Sequence, residues 1–538
     1  MKKWMSLILA AASLLALTAC SRGGTPTTNP ASTQGGDSDT LYAASSADMT
    51  TMDVAQTTND YFVPNNVFDR LFEVKVQADG TSQIVNSLCE SYTVSPDGLT
   101  YSIKLVEGVQ FSNGSALTAE DVKYTFERLL TAGGVNDDIP LEVQGAQALE
   151  DGTVSELTGI VVKDDYNLDI TLTAPNAGFT AELTSPAMGI VDKETTEAAQ
   201  NFGMDPKDTI GSGPYIITEW VPNDHYTLER NENYWGEKPQ VKKLVKKIVP
   251  DASTQNLMYQ NGELDILDLE SLDPSVVDST YKTTYADKLV SAARVGITYV
   301  AMNENNEFLQ DVRVRKAIQM AIDRQTLVTG ILSGDGVLEN GVIPSGVWGY
   351  NPDFSSFTYD PEGAKALLQE TGFTDIHFEL AYDSSSSSST QMAYQLIQQD
   401  LQKVGIRAEI KSYDKSAWLD LRKSGEMDCY ISTWTMDYND PANIMGTFFA
   451  SAEKSAIRSI NYYDADIMAR VAAASGIVDD EARMAEYRAL EAKIIGEDAA
   501  WVPLYAKTHL FAVSDKIDTF VPHWAGYSDF FIRDITLK

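Results

Sequence analysis

The 538-residue chain sets 77 Asp and Glu against 41 Lys and Arg, a formal charge of −36, with 43% hydrophobic residues. That balance excludes a nucleic-acid partner, because phosphates would be repelled over most of the surface. The apolar content suffices for two or three lobes with cores of their own.

The chain opens on MKKWMSLILAAASLLALTAC, where Lys2 and Lys3 precede an apolar run too short to span a bilayer. Residues 1–19 therefore read as a secretory signal. Leu17-Thr18-Ala19-Cys20 resembles the lipobox of bacterial lipoproteins, which makes Cys20 the expected lipidated N-terminus. Residues 20–39, dominated by Gly, Ser, Thr and Pro, predict a flexible tether. The expected setting is extracytoplasmic, with the lipid as the only membrane contact. Cys89 and Cys429 remain, far apart in sequence, and are expected as free buried thiols.

GLTYSIKLVEGVQFSNGSA, over 98–116, predicts two strands and a turn, and LTAEDVKYTFERLL a helix capped by Thr118 with Asp121 at the third position of a capping box. Val122, Phe126, Leu129 and Leu130 share one face of that helix, which suggests a small α+β lobe. From Gly211, alternation broken by Pro-Asn-Asp predicts a hairpin. A strand follows in KLVKKIVPDAS, whose lysines at 243, 246 and 247, with Lys242 just before it, read as a solvated edge, and then a helix near Gln255 to Asn261. DVRVRKAIQMAIDRQTLV predicts one helix behind Asp311, with Val314, Ala317, Ile318, Ala321, Ile322 and Val328 on its stripe. YDPEGAKALLQETGF is punctuated by Asp360 and Gly372. Between His377 and Trp434 strands and helices alternate, which implies a parallel sheet. Ligands of such sheets collect beyond the carboxyl ends of the strands, where WTMDYNDP (434–441) begins.

The segments FSNGSALTAEDV, GSGPY, LERNENYWGEKP with KIVPDAS, DVRVRKAIQMAIDR, YDPEGAKALL, LQKVGI and DYNDP resemble the extracellular solute-binding proteins of family 5, the peptide and nickel receptors of ABC importers. The resemblance implies an α/β, type II periplasmic-binding-protein fold: two domains about a hinge, plus an extra α+β lobe inserted in the first. Domain I would comprise 40–82, 206–292 and 505–538, the extra lobe 83–205, and domain II 293–504. The hinge would lie near GITYVAMN and WVPLY. By the same resemblance, Trp434 and Asp437 lie in the cleft, and Asp437 pairs with the α-ammonium group of a peptide. Thr433 and Met436 would offer neighbouring backbone positions, and Thr58, Asn59 and Tyr61 of QTTNDYF would run beside the ligand. Tyr438 is either a cleft residue or packing. Asp440 is expected to cap a helix starting at Pro441.

The implied function is that of a substrate-binding lipoprotein, a monomer without cofactor or catalysis, which closes on peptides and delivers them to the permease subunits of an ABC importer. Dipeptide receptors of this kind hold the ligand carboxylate with an arginine in the loop that here reads YDSSSSSSTQ, so oligopeptides, or another solute with a cationic end, fit better. Oligosaccharide, nickel chelate and haem are alternative cargoes. A secreted hydrolase is the alternative from another class, but no Gly-x-Ser-x-Gly, His-Glu-x-x-His or Walker motif occurs. His225, His377, His509 and His523 stand apart in sequence and spell no metal site.

Overall fold

Along Thr40–Ser45 (β1), Leu41 and Ala43 enter one apolar cluster whereas Tyr42 and Ala44 pack against another, the period-two signature of a strand covered on both faces. The computed structural model describes residues 39–57, 60–76, 82–526 and 529–538. The predicted signal, Cys20, the tether as far as residue 38, Thr58 and Asn59 lie outside these residues.

The other main strands are Tyr215–Val221 (β2), His225–Arg230 (β3), Lys243–Ile248 (β4), Ile266–Asp268 (β5), Gly296–Met302 (β6), His377–Asp383 (β7), Arg407–Tyr413 (β8), Cys429–Thr435 (β9) and Trp501–Val513 (β10). They line up in the order β8-β7-β9-β6-β10-β5-β1-β4-β3-β2. β7 runs parallel to β8 and β9, as the strand–helix alternation predicts, and β1 runs parallel to β4 and β5. The β9 half is covered on both faces by separate apolar clusters, one containing Tyr299, Tyr430 and Trp501, the other Val300, Leu380 and Val502.

β10 belongs to both halves of the sheet. Its residues from Trp501 to Tyr505 pair with β6, while Thr508–Ala512 pair with Ala293–Leu289 and Phe511–Val513 with β5. Where the partners change, the Arg294 N–H donates to the Lys507 carbonyl at 2.8 Å.

A separate antiparallel sheet, built from Cys89–Val94, Thr100–Leu105, Asn167–Thr171 and Ile160–Asp164, forms a lobe with its own core. The helix Ala119–Thr131 covers it, with Val122, Phe126, Leu129 and Leu130 buried. Its start is fixed by Asp121, whose carboxylate accepts the Thr118 N–H at 2.8 Å and hydroxyl at 2.9 Å. Cys89 and Cys429 are buried free thiols, and among the described residues no helix is long and apolar enough to cross a membrane.

Three local expectations need correction. The second predicted strand within 98–116 shrinks to a single bridge between Gln110 and Ala116. The helix behind Asp311 ends at Ala321; Ile322 turns to extended backbone and Asp323 caps a new turn through the Thr326 N–H, so the stripe continues across a break. Lys246 is no solvated edge. β4 sits between β1 and β3, and Lys246 is 7% exposed with its ammonium 3.7 Å from the centre of the Phe62 ring.

Candidate functional site

WTMDYNDP leaves β9 beside the start of β6. Gly296 lies opposite Thr435, and a side-chain carbon there would sit 2.4 Å from the Trp434 carbonyl oxygen, so this close register requires glycine. The chain then passes Met436, whose side chain is fully buried in the core and whose N–H donates to the Val295 carbonyl at 3.0 Å. Met436 therefore brings neither a side chain nor a free N–H to a ligand. Thr433 and Asp437 turn outward to solvent, and the Thr433 hydroxyl shares a 2.9 Å hydrogen bond with that of Thr298.

Trp434 and Asp437 are held by one residue that local sequence patterns do not flag. Asn443, on the helix Ala442–Phe449, accepts the Trp434 indole N–H at 2.9 Å and the Asp437 backbone N–H at 3.3 Å, and donates to the Asp437 carboxylate at 3.0 Å. Asn443→Ala leaves the indole N–H and the carboxylate without this partner. It is expected to cost about 1–3 kcal/mol of stability in urea unfolding.

Asp437 is not the isolated acid that an empty cleft would suggest. Crowding by protein raises its carboxyl above the usual range, with the Asn443 hydrogen bond and the Arg458 charge opposing and Asp138 of the lobe adding. Tyr61, from the β1 half, is within electrostatic reach of Asp437, and its hydroxyl donates to the Thr57 carbonyl at 3.1 Å. Trp434 is half-buried. Its ring meets Phe448 edge-on at 5.3 Å, and the Arg458 guanidinium lies 5.2 Å from its centre.

Arg458 and Arg422 are cations with no ion pair in contact, Asp437 acting on Arg458 only at longer range. Neither guanidinium has a hydrogen-bond or ion-pair partner among the described residues, and the Nε of each is buried and unsatisfied. After burial, the neighbouring charge of Arg422 is the main influence lowering the pKa of Arg458. Two like charges held together in this way favour an anion.

Tyr438 and Asp440 face elsewhere. Tyr438 is directed at Glu182 of the lobe. Asp440 accepts the Ala442 N–H at 2.9 Å, the capping role expected of it, and also pairs with buried Arg483 at 2.5 Å.

Comparison with known proteins adds to this geometry. The middle-region pattern of the bacterial extracellular solute-binding proteins, family 5, matches residues 83–456. The chain belongs to this family. The dipeptide-binding protein of Escherichia coli strain K12 is 31% identical over 72% of the chain and 73% of its own length. Heme-binding protein A of Haemophilus influenzae is 27% identical over 99% of both. A periplasmic murein tripeptide binding protein, solved in its unliganded open form, superposes with a TM-score of 0.80 at 21% identity, covering 93% of this chain and 98% of that one. The fold is the α/β architecture of periplasmic binding proteins of the family 5 type, in two domains. Family 5 proteins are extracytoplasmic receptors that bind solutes, not enzymes.

Two cavities accompany the family 5 architecture. One of about 410 Å³ lies between the lobe and the β9 half, walled by Tyr92, Tyr101, Trp348, Asp440 and Arg483. The other, of about 470 Å³, sits at the carboxyl ends of β1 and β5 and is walled by Asp60, Lys246 and Asp529 among others. Neither wall includes Trp434 or Asp437. The fold also unites Asp268, Glu270 and His509, a potential metal-ligand group invisible in sequence because its members are so far apart. Arg294 occupies the cation position there, donating to Glu270 and standing 3.3 Å from His509 Nδ1.

Proposed function

We propose that this family 5 protein is the receptor of a peptide importer. It captures free-ended oligopeptides between the Trp434–Asp437 turn and the segment around Tyr61, and delivers them to the permease subunits while anchored through Cys20. The observation that carries the reading is the opposite charge character around WTMDYNDP: the outward Asp437 carboxylate, and the Arg458 guanidinium over Trp434 with Arg422 as its neighbouring charge. A zwitterion complements both. Its ammonium pairs with Asp437, and a carboxylate meets the arginines, which supply the cation that the serine loop 384–389 lacks. Trp434, already covered by Arg458, offers a smaller stacking surface to a sugar than a bare ring would. Rotation of the halves is assigned to the place where β10 changes partners, Arg294–Val295 beside Ala506–Lys507.

Thermal unfolding with peptide mixtures tests this. Free-ended peptides at a hundred times their Kd should stabilise the protein by about 2.7 kcal/mol. N-acetylation should remove most of that gain, C-terminal amidation part of it, and Arg458→Leu should erase the difference between acid and amide. Stabilisation by haem or by saccharides, with none by any peptide mixture, would overturn the reading.

A further inference from the structure

A pair of acids lies where the lobe docks on the β9 half. The Ala177 N–H donates to the Ser475 carbonyl at 2.7 Å, and Gly178 packs so closely on Asp440 that a side-chain carbon would sit 3.3 Å from its carboxyl carbon. Beside this contact, the Asn176 side-chain amide donates to Glu142 at 2.8 Å and to Glu182 at 3.0 Å. The two carboxyl groups are themselves within hydrogen-bonding reach of each other.

Glu182 is 4% exposed, and its Oε2 has no hydrogen bond of ordinary geometry although the Tyr438 hydroxyl faces it. Neither acid forms an ion pair among the described residues. The other charged or titratable groups around them are Asp138 and Lys454 near Glu142, Asp440 near Glu182, and the hydroxyls of Tyr101, Tyr438 and Tyr487. Arg483 is committed to Asp440. Two carboxylates this close, Glu182 buried and Glu142 half-buried, and sharing one amide donor, resist carrying two negative charges at once.

We propose that Glu142 and Glu182 share one proton while the lobe is docked on Tyr438 and Asp440, so that docking takes up a proton and mild acid tightens cargo capture. The inference rests on the receptor reading only in equating docking with capture. Burial raises both carboxyls above their ordinary range, Glu182 the more strongly. When the lobe lifts, Tyr438 and Asp440 withdraw, water reaches the pair and the shared proton is released. Raised acids in the docked form cost nothing below the undocked pKa, and the penalty grows as pH rises toward the docked value. Capture therefore weakens with rising pH, by at most tenfold per pH unit for one proton. Asp437 gives the opposite sign: a cargo ammonium arriving beside it expels a proton.

Titration calorimetry with a free-ended tetrapeptide, at pH 6.5 in buffers of different ionisation enthalpy, separates the two. The wild type should take up a fraction of a proton. Glu182→Gln, which mimics the protonated acid and keeps an amide beside Asn176, should bind with that uptake lost and with a flatter pH profile; Glu142→Gln should do the same. Absence of uptake in the wild type, or unchanged uptake in both variants, overturns the inference. If no peptide binds, the receptor reading falls and the comparison passes to small-angle scattering of the ligand-free protein between pH 5.5 and 8. Expansion of the wild type with rising pH that Glu182→Gln lacks sustains the shared proton, and identical profiles overturn it.

Discussion

Asp437→Asn should remain folded and bind free-ended peptides about 2–5 kcal/mol more weakly, measured by titration calorimetry. The amide preserves shape and can still pair with Asn443, so the hub that holds Trp434 survives. What disappears is the charge facing the cargo ammonium. Stability should not fall, because crowding already disfavours the Asp437 carboxylate, as its raised pKa records. That direction also fixes a pH dependence. As pH falls through the raised pKa, Asp437 takes up a proton and pairing with an ammonium is lost; the wild type should show this acid limb and the variant should not. An unchanged affinity would remove Asp437 from the site.

Asp440→Ala should unfold at much lower urea concentration, with a loss of about 3–5 kcal/mol. Asp440 and Arg483 are both buried and joined at 2.5 Å, and the same carboxylate accepts the first N–H of the helix Ala442–Phe449. Truncation strands the Arg483 guanidinium over Trp348, 4.4 Å from the ring centre, with Asp480 at 3.4 Å as its remaining acidic contact. A double change, Asp440→Leu with Arg483→Met, should recover much of the loss, because it removes both buried charges. If the single variant keeps wild-type stability, the pair is not the anchor that the geometry indicates.

Elements punctuated at both ends were legible in the chain. The capping box at Thr118 and Asp121, the Asp360 cap with Gly372 in left-handed geometry, and the turn at Asn223 all act within a few residues. The strand–helix alternation through 377–435 likewise carried its own periodicity and parallel pairing. Lys246 failed because lysines on a strand read as exposed, whereas exposure depends on which strands flank β4, and those come from residues about two hundred positions earlier or just before it. Within the site, WTMDYNDP could be located, but Asn443 was not recognisable as its hub: Asn is an ordinary residue at a helix start, and its three contacts exist only once β9 and the helix have fixed register. Glu142 and Glu182 meet Tyr438 only across the lobe contact, so nothing local announces them.

The shared strand β10 has a mechanical consequence. A continuous covalent strand cannot lengthen between the two halves, so any motion of one half against the other would have to bend or twist it. Bending and torsion are thus the soft coordinates and stretching the stiff one. The ladder is already loosened there: Pro503 has no N–H to contribute, and the register with β6 slips between Thr298 and Tyr299. Under the receptor reading proposed above, the segment would serve as the hinge, its compliance set by a few peptide units. Stiffening it would slow exchange of cargo without altering any group that touches the cargo.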